Sequence, residues 1–196
     1  MFLISRPSPR QVERFLEESR GRGLSYDDVS IATESGRNAI RGFTIDETIA
    51  TVGHGPDDFA AAAAALAAWR HFELGWVRIA PAGAPIAPGT VVAVVIRHLG
   101  FWSLNGCRVV NVVSDHGGTR RNGFVYATLT NHAEQGQELF EVSLRESGDV
   151  VYRILAASRP RAWLARVGYP IVRALQSRFR RDSVDAMRRA VVRERA

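Results

Sequence analysis

Apolar and polar residues alternate along much of the chain between positions 91 and 158. The alternation predicts five successive strands, at 91–97, 107–114, 123–130, 137–145 and 150–158. A period of two places every second side chain on the same face of a sheet. Because short turns that carry Gly, Asn or Asp separate most of these strands, the pattern favours an antiparallel meander.

The densest part of this pattern is residues 123–140, which read GFVYATLTNHAEQGQELF. Aromatic and small residues alternate over 124–130, as they do in a half-buried strand. Residues 131–136 include Asn and Gly, which tolerate the backbone angles of a chain reversal. The segment therefore predicts a β-hairpin with His132 and Glu134 at its tip.

Three helical patterns flank these strands. The first begins at Ser8 and Pro9, a capping residue followed by a proline suited to the first helical position, and ends near Gly21. The second follows Gly55 and is rich in alanine, the strongest helix former. A long amphipathic helix is predicted from Pro160 onward, with a kink near residues 168–170. Its apolar stripe comprises Trp163, Leu164, Val167, Ile171, Leu175, Phe179, Val184, Met187 and Val191.

This order of elements predicts an α+β fold. A helix, an antiparallel β-meander and a long C-terminal helix follow one another as in helix-grip domains of the START and birch-pollen-allergen type. In such domains a curved sheet wraps the C-terminal helix, and a cavity often lies between them. A two-layer α+β sandwich with a filled core fits the same pattern. We expect a single domain over 1–196, with a helical appendage at 1–23, a core at 24–196 and an edge strand at 43–52.

Short motifs spread over roughly residues 24–190 resemble those of uncharacterised protein family 0548. The matching pieces are Val52-Gly53-His54-Gly55, Trp69, Leu74-Gly75-Trp76-Val77, Leu104-Asn105, Cys107-Arg108-Val109-Val110, Gly123-Phe124, Tyr126, Thr128-Leu129, His132, Glu134, Gly136, Glu138, Phe140, Ser158-Arg159-Pro160 and Gln176. The hairpin departs from the family pattern where Ala127, Thr130, Asn131, Ala133 and Gln137 replace Gly, Pro, Gly, Pro and Glu. The resemblance implies an α+β fold and no known activity.

Composition places the chain among globular proteins. Of its 196 residues, 46% are hydrophobic and 23% are charged, close to the globular average. Cys107 is the single cysteine, so no intramolecular disulfide forms, which fits a reducing compartment. The chain shows neither a signal-peptide pattern nor an apolar run of about 20 residues. We therefore expect a soluble, cytoplasmic protein without a transmembrane segment.

The basic charge is concentrated at the C-terminus. All 26 basic residues are Arg, and residues 153–196 hold 12 of them against three acids. The Arg-rich C-terminal helix could bind nucleic acid or an anionic membrane. Its aromatic residues have helical spacing and suit a core, and base readout requires more than a basic face. Nucleic acid is therefore a less favoured partner.

His132, Glu134 and Glu138 form the best candidate for catalytic chemistry. A carboxylate beside an imidazole can fix the tautomer of the ring and raise its pKa, as general acid–base catalysis requires. The alternative is a solvated hairpin tip whose polar groups have no chemical role. We expect Glu138 to point inward together with Phe140.

A second cluster consists of Trp102, Asn105 and Arg108. Asn105 and the glycine that follows it resemble a turn. Arg108 in a cavity could clamp a carboxylate or phosphate, or could instead pair with Glu134 or Glu138. Tyr126 either offers its hydroxyl to the same cavity or fills the core.

The Ser158-Arg159-Pro160 segment joins the last strand to the long helix. We expect Ser158 to cap that helix, with a ligand contact as the alternative. Arg159 is less expected at a helix start, because the helix dipole is positive there, so an acidic partner is plausible.

Together these residues favour a domain that binds a small hydrophobic or acidic ligand, lipid-like or acyl, in an apolar cavity. Trp102, Tyr126 and Phe140 would form walls, and Asn105, Arg108, His132, Glu138, Ser158 and Arg159 polar contacts. The alternative is an enzyme that uses His132 with Glu134 or Glu138. The five His and one Cys lack metal-ligand spacing, and no dinucleotide or phosphate loop is present, so neither metal nor cofactor is predicted.

Overall fold

The computed structural model of the chain describes residues 1–26, 31, 42–98, 100–115, 118–160 and 169–194. The strands are β1 (Phe2–Leu3), β2 (Thr44–His54), β3 (Val77–Ala80), β4 (Val91–His98), β5 (Phe101–Val113), β6 (Arg120–Thr128), β7 (Glu134–Leu144) and β8 (Asp149–Pro160). The helices are α1 (Pro9–Arg20), α2 (Gly55–Ala67), a 3-10 helix (Arg70–Phe72) and α3 (Tyr169–Glu194).

The eight strands form one antiparallel sheet. Its order is β2-β8-β7-β6-β5-β4-β3, and β1 pairs with the part of β5 that β6 does not reach. The five predicted strands are confirmed as the meander from β4 to β8, and the predicted edge strand is confirmed as β2. In the hairpin of β6 and β7, Tyr126 lies opposite Glu138 and Phe124 opposite Phe140.

The long helix α3 packs on one face of this sheet beside α2. Val184, Met187 and Val191 of α3 are buried in the main core, together with Ala62 and Leu66 of α2. The predicted α+β fold of the helix-grip type, with a meander and a C-terminal helix against it, is confirmed. Among the helices in the described ranges, none has the length and apolarity that crossing a membrane requires.

The opposite face of the sheet is covered in part by α1. Phe15 and Leu16 pack against Val95 and Leu104 of the sheet. The predicted cap is present, because the Gln11 N–H donates to the Ser8 hydroxyl and the Ser8 N–H donates to the Gln11 side chain at 2.8 Å. The N-terminal segment is therefore tied directly to the sheet.

Three predicted boundaries were wrong. Strand β5 begins at Phe101, so Asn105 lies inside a strand rather than in a turn. Its neighbour Gly106 lets the Asn131 side chain approach the strand closely, since a Cβ at Gly106 would lie 2.4 Å from the Asn131 Oδ1. Ser158 lies within β8 and therefore does not cap a helix, and Pro160 ends that strand.

The pattern of the second helix predicts that it ends at Gly75, but the observed helix ends earlier. Helix α2 stops at Ala67, and Trp69 adopts a left-handed backbone with a φ of 59° before the short 3-10 turn. This turn directs Phe72 into the core. The predicted positions of Trp163, Leu164 and Val167, and the start of the kink, lie outside the described residues.

The glycine-rich motif at residues 52–55 is a structural junction between β2 and α2. The Asp58 carboxylate accepts a hydrogen bond from the His54 N–H at 2.7 Å. A Cβ on Gly53 would lie 2.4 Å from that carboxylate oxygen. Close packing of the strand end on the first turn of the helix therefore explains this glycine.

A histidine lies in the middle of the aromatic core. His71 is fully buried, and its ring stacks on Trp69 with centroids 5.8 Å apart and lies 4.7 Å from the Phe140 ring. Among the described residues neither ring nitrogen has a hydrogen-bond partner. Burial lowers the pKa of His71 to about 3.

We predict that His71 makes the protein less stable in acid. Below a pH of about 6.5 the unfolded chain binds a proton at this residue, whereas the folded protein excludes it until a pH of about 3. The free energy of unfolding should therefore fall with decreasing pH in this window, by up to about 1.4 kcal/mol per unit. His71→Phe should flatten that slope in urea unfolding measured at several pH values. The exposed His54→Gln is the control, and an unchanged slope in His71→Phe would refute the assignment.

Candidate functional site

A cavity of about 470 Å³ lies between the sheet and the first half of α3. Its walls are mainly apolar, and they include Phe72, Trp76, Val94, Ile96, Leu175 and Phe179. The predicted stripe of α3 therefore has two parts. Leu175 and Phe179 face the cavity, whereas Val184, Met187 and Val191 are packed in the core.

The space exists because side chains on this face of the sheet become smaller or polar towards one end. Along β8 the face carries Tyr152, Ile154, Ala156 and Ser158; along β6, Phe124, Tyr126 and Thr128; along β7, Phe140, Glu138, Gly136 and Glu134. The large members fill the core beneath α2 and the end of α3. The smaller ones leave room beneath the start of α3.

Glu138 and Tyr126 form a hydrogen-bonded pair at this polar end. The Tyr126 hydroxyl donates to the Glu138 Oε2 at 2.5 Å, across neighbouring strands. Burial raises the pKa of Glu138, and the Tyr126 hydrogen bond opposes that rise. The pKa of Tyr126 is raised well above its ordinary range by burial and the Glu138 charge, so the phenol stays protonated as the donor.

Glu134 lies four residues before Glu138 on the same face of β7. Its Oε1 accepts a hydrogen bond at 3.0 Å from the Gln176 side chain, whose amide also contacts the Ser158 hydroxyl at 3.3 Å. Burial, followed by the charge of Glu138, raises the pKa of Glu134 to about 7. One of the two carboxylates is therefore partly protonated near neutral pH.

An ion-pair network anchors this end of the cavity to the edge of the sheet. Arg173 donates to the Gln176 Oε1 at 3.0 Å and binds both carboxylate oxygens of Asp46 on β2. Arg180 lies 3.7 Å from the same carboxylate. Hydrogen bonding by Arg173 is the main reason that the pKa of Asp46 is lowered. The helix, the edge strand and Glu134 are thus joined in one chain of contacts.

His132 lies at the hairpin tip, partly buried beside the cavity. Its Nδ1 accepts a hydrogen bond from the Glu134 backbone N–H at 2.9 Å, whereas the Glu134 carboxylate contacts Gln176. Burial lowers the pKa of His132 to about 4. The expectation that a carboxylate raises this pKa was wrong, because desolvation dominates. The tip is nevertheless not a solvated turn, since it lines the cavity.

Six of the predicted site residues meet at the cavity. They are Asn105, Tyr126, His132, Glu134, Glu138 and Ser158. Phe140 does point inward beside Glu138 as expected, but it is fully buried in the core behind the cavity.

The other three predicted residues lie on the far face of the sheet. Arg108 donates to the backbone carbonyls of Arg20 and Arg22 at 3.1 and 2.8 Å, not to Glu134 or Glu138. Trp102 packs into the cluster beneath α1.

Arg159 lies over the Phe43 ring at 4.6 Å and donates to the Gln135 amide oxygen, so its partners there are not acidic. All three side chains point away from the cavity because of their positions along their strands. The cavity face carries odd positions on β5 and even positions on β8, so Trp102, Arg108 and Arg159 have the wrong parity.

Sequence reasoning missed Gln176, Arg173 and Asp46. The helical spacing of Gln176 from Phe179 and Val172 was a usable signal, because these positions share one face of α3. No local sequence signal pointed to Asp46, since its partners lie more than a hundred residues away along the chain. Within the described ranges, no three His, Cys, Asp or Glu side chains lie close enough together to hold a metal ion.

Known proteins are similar to this chain. A family model described as a domain of unknown function, DUF1990, matches residues 25–186. A UPF0548 protein of Dictyostelium discoideum is 31% identical over 208 residues, covering 97% of this chain and 96% of that protein. A UPF0548 protein of Arabidopsis thaliana is 28% identical over 192 residues, with 93% of each covered. A solved hypothetical protein from Helicobacter pylori is 14% identical, with a TM-score of 0.49 over 77% of this chain and 90% of that one.

We predict that Tyr126→Phe destabilises the protein increasingly as the pH rises. The variant leaves the ionised Glu138 without its donor, and a hydrogen bond to a charged group contributes about 1.5–3 kcal/mol. The Tyr126 hydrogen bond lowers the pKa of Glu138 against the effect of burial, so its removal raises that pKa further. The loss of unfolding free energy should be small at a pH where the Glu138 carboxyl is protonated. It should grow at higher pH, where that carboxyl is ionised.

The matched control is Tyr152→Phe, which removes a 3.0 Å hydrogen bond between two hydroxyls, Tyr152 and Ser183. Its cost should not change between pH 5 and pH 8 in urea unfolding. Parallel pH profiles for the two variants would show that Tyr126 does not stabilise a charge.

Proposed function

This chain belongs to the DUF1990 family, together with the UPF0548 proteins, and we propose that it binds a small, mainly apolar molecule between its sheet and α3. The family membership confirms the resemblance found in the sequence. One observation carries the proposal: an apolar cavity of about 470 Å³ with polar side chains gathered at one end. Sites for small molecules typically have volumes of about 300–1,000 Å³ and few, well-placed polar groups.

The chemistry of the walls supports a lipid-like or acyl molecule of modest length. Val94, Ile96, Leu175 and Phe179 offer aliphatic and aromatic surface from both the sheet and the helix. Burial of apolar surface would supply most of the binding free energy, at about 25 cal/mol per Å². The polar end of the molecule would contact Glu134, whose neighbours Glu138, Tyr126 and Ser158 lie at the same end.

An acidic ligand has less support than the sequence suggested. The predicted clamp, Arg108, is half-buried and donates to backbone carbonyls on the other face of the sheet. No Arg side chain lines the cavity within the described part of the chain.

Nucleic acid also remains less favoured, because several Arg residues of α3 have partners inside the protein. Arg173 and Arg180 contact Asp46. Arg178 lies 4.5 Å from the centre of the Trp76 ring, and Arg188 pairs with Asp185.

Catalysis is the second candidate, and the pKa of Glu134 favours it. A carboxyl with a pKa of about 7 can both donate and accept a proton at neutral pH. The assignment of His132 is tested by His132→Ala once a substrate is known: reduced turnover at unchanged affinity indicates a catalytic role, whereas weaker binding alone indicates a contact.

We predict that Leu175→Trp strongly weakens binding of a neutral apolar probe. The larger ring would occupy the cavity, and Nile red fluorescence should show at least a tenfold weaker apparent affinity than in the unchanged protein. Val192→Trp introduces the same side chain on the same helix, at a position that is 67% exposed. This control should bind Nile red normally. Equal binding by both variants would exclude the cavity as the site.

A further inference from the structure

We infer that the molecule bound in the cavity carries a protonated amine, which the carboxylates of Glu134 and Glu138 hold at the polar end. This inference rests on the proposed function and specifies the class of ligand. It would make the protein a binder of amphiphilic amines rather than of fatty acids or neutral lipids.

The first support is the count of charges around the polar end. Three carboxylates, those of Glu134, Glu138 and Asp46, lie in one electrostatic network with the guanidinium groups of Arg173 and Arg180. Both guanidinium groups contact Asp46 directly. When all five groups are ionised, together they carry one net negative charge. The Met1 ammonium also acts on His132, but burial lowers its pKa. A ligand with a single positive charge would neutralise the net charge of the five groups.

The second support is the supply of hydrogen-bond acceptors. Among the described residues, Glu134 accepts from Gln176 through Oε1, and Glu138 accepts from Tyr126 through Oε2. Each carboxylate can accept about four hydrogen bonds, so both retain capacity for donors on a ligand. An ammonium group supplies three N–H donors in a compact volume. The Ser158 hydroxyl lies at the same end and offers a further acceptor.

The third support is that the cavity lining offers an anion no positive partner. The lining described by the structure contains two histidines, His132 and His98, and no Arg. Burial lowers the pKa of both rings, that of His132 to about 4, so both are neutral at pH 7. A fatty-acid carboxylate would face Glu134 and Glu138 with no guanidinium group in the described lining, because Arg173 and Arg180 already contact Asp46. Uncompensated charge in a desolvated site is strongly unfavourable.

A proton can take the place of the amine when the site is empty. The pKa of Glu134 is about 7 because of burial and the charge of Glu138. Binding of an ammonium group would displace that proton. The affinity should therefore rise with pH up to about 7, by as much as tenfold per unit, and change little above it. The charged or titratable groups that interact with this pair from the packed elements are Asp46, Cys107, Tyr126, Tyr152, Arg173 and Arg180.

The inference is tested by titrating the full-length protein with three probes that share one chain length. Decylamine, decanol and decanoate differ only in their polar ends, and isothermal titration calorimetry at pH 7.5 gives the affinity for each. We expect decylamine to bind at least ten times more tightly than decanol, and decanoate to bind most weakly. Calorimetry in buffers of different ionisation enthalpy should show proton release on decylamine binding at pH 6.5.

Two variants distinguish the contribution of the carboxylates to binding from that of the rest of the cavity. Glu134→Gln and Glu138→Gln should each lose most of the preference for decylamine over decanol and should retain decanol binding. Glu47→Gln is the matched control, because Glu47 adjoins Asp46 in β2 but pairs with Arg153 outside the cavity. It should keep the preference unchanged.

The possible outcomes are distinguishable. If decanol or decanoate binds as tightly as decylamine to the unchanged protein, the inference is wrong while the proposed function stands. If the preference survives in both glutamine variants, the carboxylates are not the site of recognition. If none of the three probes binds, both the inference and the proposed function fail.

Discussion

The fixed packing of the second half of α3 is the constraint on which the site depends. Val184, Met187 and Val191 are held against α2 and the large side chains of the sheet, and the Trp76 indole donates to Asp182 at 2.8 Å near the middle of the helix. A helix fixed at one end extends as a rigid rod over the rest of the sheet. Since the sheet there carries Thr128, Gly136 and Ser158, space remains between helix and sheet, and only long side chains such as Gln176 reach across it. The cavity follows from the decreasing size of the side chains.

Carboxylates in such a space are expensive to desolvate, and the protein surrounds them with partners. Tyr126 donates a hydrogen bond to Glu138, and Gln176 donates one to Glu134. This arrangement reduces the cost of burial without removing it, because the pKa of both carboxyl groups stays raised. Two carboxyl groups with raised pKa values in one cleft are typical of a functional site. In a structural ion pair the pKa of the carboxyl is lowered instead, as it is at Asp46.

The sequence predicted the meander, the hairpin and the apolar stripe of α3, because these depend on local periodicity. It also identified Glu134 and Glu138, which share a face of β7 by simple alternation. It misplaced Arg108 and Arg159, although counting parity from Tyr126 across the paired strands would have corrected both. Asp46 and the approach of Gly106 to Asn131 depend on tertiary contacts that no local pattern records.

A crystal structure determined under xenon pressure tests the central claim most directly, since xenon binds in apolar cavities that side chains leave empty. The account predicts xenon density between Val94 on the sheet and Leu175 on α3, with the carboxylates of Glu134 and Glu138 at the end of the same space. It would be contradicted by a closed interface in which side chains of α3 fill that region, without xenon density and with both carboxylates turned to bulk water.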